Sequence, residues 1–381
     1  MSEYQYHEWQ TLERPLAADE QKAVNELSSH IDVTATQAIV TYHWSDFRHD
    51  PLEVLAKYFD AYLYFANWGT RRLAFRFPKG LVDAAAIYVS YCDEDFLHIK
   101  TIGDVHILEF EMYKDGGYDE WIEERGLLSM LVHLRDDIIQ GDHRALYLFW
   151  LHVMNMESRG YEEEDKDNPD GLFYDPEPPL PIGLKHLSPS LRALIDFFEI
   201  DPFLVSAAAE RSPSLSPSNQ PDFAPLIARL TRRECDEFLL KIVNAEPGAV
   251  ATLRKKLLSF EQSKPDARTE PRTFGELLDT AEKLRQAEKR RQAEERQRKY
   301  IAEMQELVKQ EAQTWQEVER LIQSGYTAQN YDSATALLSK LHQLAEFQEK
   351  QASFDARLGV LVKKHKSRSA LMRRWKKMGW V

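Results

Sequence analysis

The chain has 381 residues, 43% of them hydrophobic and 11% aromatic, which excludes wholesale disorder and exceeds what one ordinary compact core takes up. Its formal charge of −13 is unevenly spread. Residues 1–270 hold 27 Lys+Arg against 47 Asp+Glu, and residues 271–381 hold 22 against 15.

The pattern of elements predicts an α+β domain over residues 1–158. Residues 4–11 alternate aromatic and polar, as in an edge strand, and 19–30 form a helix with Ala23, Val24 and Leu27 inward. The opening MSEYQYHEW lacks the basic start and apolar core of a signal peptide. β-Branched and aromatic residues predict a strand at 36–44. Asp50-Pro51 opens a helix, with Asp as cap and Pro in the first position, expected to run through 52–67. Residues 71–77 alternate again. Residues 96–100 and 105–113 read as a hairpin around Gly103-Asp104. Helices follow at 120–140 and 143–157, so mixed order argues for α+β with antiparallel strands. The longest apolar stretch, at 145–154, is about half of a bilayer span, and a cytoplasmic protein is expected.

An acidic, then proline-rich linker is expected at 159–187, starting with Glu162, Glu163, Glu164, Asp165 and Asp167. A helical region at 188–262 comprises 188–198, 201–210, 222–243 and 248–260, with a Ser/Pro/Asn loop at 212–221. A polar linker at 263–272 precedes a long charged helix at 273–324. Within it, 49 residues from Glu276 to Ser324 contain neither glycine nor proline. Ala, Glu, Gln, Lys, Arg and Leu dominate there, side chains that lose little rotamer freedom on a helix. A straight helix of that length spans about 74 Å.

Ile301, Met304, Val308, Trp315, Val318 and Ile322 share one heptad frame, broken by Glu311. Leu277, Ala281 and Leu284 follow a shifted frame, and 285–299 offers only Ala287 and Ala293. The reading is a helix packed at its ends and solvated in the middle, with a homodimeric coiled coil through the 301–322 stripe as the alternative. Residues 325–381 are expected to form a basic helical hairpin and tail, with Ala334, Leu338, Leu341 and Ala345 on one face.

Four places could carry chemistry. Residues 42–50 (YHWSDFRHD) concentrate His and Asp after a strand, yet match no standard ligand spacing; surface polar residues and a helix cap explain them better. Trp68-Gly69-Thr70-Arg71-Arg72 places paired cations beside an aromatic, or simply marks a turn. Asp46, His49, Trp68, Arg71 and Arg72 are therefore the candidate site of an enzymatic reading. His98 and His106 fall on neighbouring strands without a third ligand, so no metal is assigned. No P-loop, GxGxxG or nucleophile elbow is present, and no cofactor is implied.

The strongest feature is the tail. Lys363, Lys364, Lys366, Arg368, Arg373, Arg374, Lys376 and Lys377 lie among Trp375 and Trp380 without one acid. Cations can neutralise phosphates, and an exposed Trp can stack on a base. Alternatively Leu371, Met372 and Trp375 pack on the hairpin while the cations are solvated, or the tail meets the chain's own acidic half.

The blocks SEYQYHEWQTLERPL, SDFRHDPLEVLAKYFDAYLYFANWGTRRLAFRFPK and HRALYLFWL resemble an uncharacterised bacterial protein family. The resemblance spans about the first 155 residues, has His49 where that family usually carries Gly, and implies no activity. The segment from YDSATALLSKL to LMRRW is similar to C-terminal helices of that family and of some SWIM-type zinc-finger proteins, whose zinc ligands are absent here. Charge segregation and missing catalytic motifs together point to a non-enzymatic interaction or adaptor protein. Another protein is the expected partner, with nucleic acid as a possible ligand of the basic end.

Overall fold

The computed structural model describes residues 3–93, 95–113, 126–159, 171–214, 222–244, 246, 248–260, 271–324 and 327–381. The acidic run 162–167, most of the 212–221 loop, the 263–270 linker and residues 120–125 of an expected helix lie outside them. The chain divides into two compact units, Met1–Arg285 and Gln286–Val381. The charge asymmetry persists across this division, since the first unit holds 30 Lys+Arg against 50 Asp+Glu and the second 19 against 12.

The first unit is built on an antiparallel seven-stranded sheet, consistent with the α+β expectation. In chain order the strands are β1 (Gln5–Gln10), β2 (Ile31–Val33), β3 (Gln37–Tyr42), β4 (Ala61–Ala66), β5 (Arg71–Pro78), β6 (Leu97–Ile102) and β7 (Val105–Met112). They pair in the order β2-β3-β1-β4-β5-β7-β6. The first strand is thus interior, not the expected edge: Gln5 pairs with both Tyr42 and Ala66. Its polar residues are tolerated there because neighbouring strands supply partners, as with Tyr64 Oη–H donating to Gln5 Oε1 (3.1 Å).

Successive residues feed opposite faces. Ala61 and Leu63 enter one apolar core, and Tyr62, Tyr64 and Ala66 the other. The second face is covered by α1 (Ala18–Asn25) and α2 (Pro51–Tyr58), which contribute Val24, Leu52, Val54 and Leu55. Helix α2 begins as expected, the Leu52 amide donating to Asp50 Oδ1 (2.8 Å). It ends at Tyr58 and does not continue to residue 67. The following AYLYFA run is strand β4, apolar throughout because both of its faces are buried.

The first face is covered by α3 (Ala84–Tyr91), α4 (Leu127–Leu131), α5 (His133–Ile139), α6 (Arg144–Ser158), α7 (Pro189–Phe197) and α8 (Pro202–Arg211). Leu191, Leu194, Leu204 and Ala207 share a core with Phe75 and Phe110 of the sheet, so no division falls at 158–188. The proline-rich segment is also engaged. Leu172 and Phe173 are buried, and Pro176 bridges to Thr273. Arg272 Nη2 meets Glu177 Oε1 at 2.8 Å, with Arg272 Nη1 donating to the Ala207 carbonyl (3.2 Å) and Tyr147 Oη–H donating to Glu177. Gly275 is required here, because a Cβ would lie 2.9 Å from the Phe173 carbonyl oxygen. The remaining helices are α9 (Phe223–Ile227), α10 (Arg232–Val243), with Thr231 and Glu234 forming its capping box, and α11 (Ala249–Leu258).

The second unit takes most of α12 (Phe274–Gln323), then α13 (Ala328–Phe347), α14 (Gln351–His365) and α15 (Ser369–Lys377). Met304, Trp315, Val318 and Ile322 of α12 are 5% exposed or less, packed with Leu338, Leu341, Phe354, Leu361 and Leu371. The stripe proposed as a dimer seam is therefore used inside the unit; of its members Val308 is the most exposed, at 40%. No described helix is long and apolar enough to cross a membrane.

Candidate functional site

Helix α15 is amphipathic in the strict sense. Leu371 and Trp375, four residues apart, are fully buried in the core of the second unit. Trp375 is thus not available for stacking on a base, which corrects that role; burying its indole anchors the helix instead. Trp380 is half-buried, its ring centroid 6.2 Å from those of His342 and Phe354.

The eight cations divide into two groups. Arg374 Nε donates to Asp332 Oδ1 (2.6 Å), Lys364 Nζ lies 3.7 Å from Glu319 Oε2, and Arg368 donates to the Ile322 carbonyl. These three tie α14 and α15 to α12 and α13. Lys363, Lys366, Arg373, Lys376 and Lys377 are exposed and form no ion pair with a described residue. Arg373, Lys376 and Lys377 stand at i, i+3 and i+4 on one face of α15. The anchored Trp375 fixes that face outward. Buried His365 lies next to this surface, and burial followed by repulsion from Arg368 and Lys364 lowers its pKa, so it adds no charge at neutral pH.

Of the alternative site, Arg71 is separated from Arg72 by the sheet, whereas Asp46 and Arg72 both lie near Tyr64. Arg71 and Arg72 are neighbours on β5 and point to opposite faces. Arg71 is 3% exposed on the helical side, donating to the Phe197 carbonyl and to Glu199 Oε1 (2.7 Å). Arg72 lies on the α2 side, its Nε donating to Glu109 Oε1 (2.8 Å) and standing 3.3 Å from Glu111 Oε1. Asp46 is exposed and accepts from Gln5 Nε2 (2.5 Å). His49 is exposed, edge-on to Phe47, and Trp68 is half-buried against the α2-side core. His98 faces Glu109 and His106 faces Thr101, so the two histidines are not paired. Among the described residues no group of three His, Cys, Asp or Glu side chains is placed to hold a metal.

A buried polar row on the α2 side of the sheet went unread in the sequence. His7 Nδ1 is 2.9 Å from Tyr62 Oη, within rings from Trp9, Phe47 and Tyr64. Burial, with repulsion from Arg72, depresses the His7 pKa to about 3. The period-two spacing of Gln5, His7 and Trp9 was the available signal. Comparison with known protein families, with curated proteins and with solved structures returned no match, so the resemblance of the N-terminal blocks rests on those residues alone.

Proposed function

We propose that this chain is a non-enzymatic interaction protein whose second unit engages nucleic acid through the outward face of α15 and the end of α14. The observation that carries this reading is a set of five exposed cations without an ion pair among the described residues, Arg373, Lys376 and Lys377 on the helix anchored by Leu371 and Trp375 and Lys363 and Lys366 at the end of α14. A cationic surface fixed in place neutralises phosphates without first breaking internal ion pairs. The first unit would meet a protein partner. Helix α10 exposes Leu239 at 57%, Leu240 at 61% and Val243 at 80%, an apolar surface suited to such contact. A cytoplasmic setting fits both partners.

The test uses the full chain with a mixed-sequence DNA duplex in a gel-shift series over salt. Arg373→Glu, Lys376→Glu and Lys377→Glu are combined, since removing the tail would also remove the two core anchors. Five phosphate contacts give a slope of log K against log salt near about −4.5, and losing three flattens it by about 2.7. Binding by the triple variant equal to that of the parent chain rejects the reading.

A further inference from the structure

A cleft of about 370 Å³ opens in the first unit between α4 and α7. Its apolar walls include Leu127 and Met130 of α4, three residues apart, and Ala193 and Phe197 of α7, four apart. Arg71 also lines it, reaching from β5. A guanidinium this deeply buried needs an anion, and Glu199 supplies one. Glu199 does so in an unusual backbone state. It occupies the left-handed region at φ 51°, where a non-glycine residue is strained, just past the end of α7. Its side chain is still 46% exposed, so the carboxylate on Arg71 is in reach of solvent.

We propose that this cleft binds an amphiphilic monocarboxylate, its chain along the α4–α7 walls and its carboxylate on Arg71 in place of Glu199. Glu199, together with the Phe197 carbonyl, is then among the internal partners that hold the guanidinium when no ligand is bound. Charge at the rim narrows the class. Arg192 lines the cleft, is exposed and forms no ion pair with a described residue, which favours one negative charge. Asp196, one turn further along α7, opposes a second. The volume and the mostly apolar lining suit a chain of several methylenes with one polar end.

The experiment is calorimetric titration of the full chain with octanoate, 1-octanol and suberate (octanedioate). Octanoate is expected to bind saturably at one site, with the alcohol and the diacid at least tenfold weaker. Met130→Glu places a negative charge on an exposed wall residue, and Arg192→Ala removes the exposed rim cation. Each should weaken octanoate at least fivefold while circular dichroism and the thermal midpoint stay unchanged. Glu199→Gln removes the competing anion and should tighten octanoate at least threefold, a gain that a merely apolar cleft would not show. Equal binding of octanol and octanoate, unchanged affinity in Met130→Glu, or no saturable binding overturns the proposal.

Discussion

In the Met1–Arg285 unit, Glu8, Asp60, Arg71, Glu109, Arg135 and Arg272 are each 4% exposed or less, whereas in the Gln286–Val381 unit the buried polar side chain among the described residues is His365. The difference follows from architecture. Helices satisfy their own backbone groups, so the second unit can close an apolar seam and leave its ionic side chains on the surface. The first unit must join a sheet covered on both faces to extended segments. It does so by pairing: Asp60 accepts from the Leu12 and Glu13 amides (2.7 and 3.0 Å) and bridges to Arg76 (2.5 Å). Arg135 bridges to Glu13 (2.6 Å) and donates to the Arg76 carbonyl (2.8 Å). Charge inside one unit specifies which segments meet, and charge in the other lies at its surface.

The largest expected effect tests that contrast directly. Arg272→Ala leaves the Glu177 carboxylate buried without its cation, and breaking such a pair costs about 3–5 kcal/mol. The urea midpoint by circular dichroism should fall accordingly. The matching change in the second unit, Arg374→Ala, removes an exposed pair to Asp332 and should leave the midpoint where it was. Comparable losses at both positions would erase the distinction between the units.

Acid should act on the first unit next. His7 is held to a pKa of about 3 and His152 to about 4, both chiefly by burial. Between pH 6.5 and these values the unfolded chain takes up protons that the folded chain refuses, so stability falls as pH falls. From pH 7 to pH 5 each histidine costs about 2 kcal/mol. In His7→Phe the drop measured by urea denaturation over that interval should shrink by about the same amount. An undiminished drop would mean that His7 takes up its proton over the same interval in the folded state as in the unfolded chain.

How much of this was legible depended on whether a residue's surroundings leave a periodic trace. Strand β5 was readable from its alternation, β3 from its β-branched and aromatic residues, and β6 and β7 from the Gly103-Asp104 turn between them. Strand β4 is apolar on both faces, so AYLYFA has no period and was absorbed into the preceding helix. Gln5, His7 and Glu8 in β1 suggested an edge, yet their partners Asp46, Tyr62 and Gln37 come from distant segments. The same limit applies to the site. Adjacent Arg71 and Arg72 looked like a pair, and strand alternation separates them across the sheet. Trp375 looked available among cations, and the i, i+4 partner Leu371 shows why it is core. The proline-rich segment read as a linker because nothing local betrays the Arg272–Glu177 pairing, 95 residues apart.

The smallest effect contrasts one backbone strain in two settings. Glu199 and Glu349 both follow a helix, α7 and α13, with φ of 51° and 57°. In each case the next amide closes the helix end, Ile200 to the Ile195 carbonyl (2.9 Å) and Lys350 to the Ala345 carbonyl (2.7 Å). Glycine adopts this conformation without penalty, so Glu349→Gly should stabilise the second unit by about 1 kcal/mol. Hydrogen exchange of α13 and α14 amides would then slow by about fivefold if they open with the whole unit. Glu199→Gly relieves the same strain while removing the carboxylate from buried Arg71, and the loss outweighs the gain. Amides of α7 should therefore exchange faster, not slower. If both substitutions slowed exchange equally, the left-handed turn at Glu199 would be an accident of sequence and not the means of holding a carboxylate on Arg71.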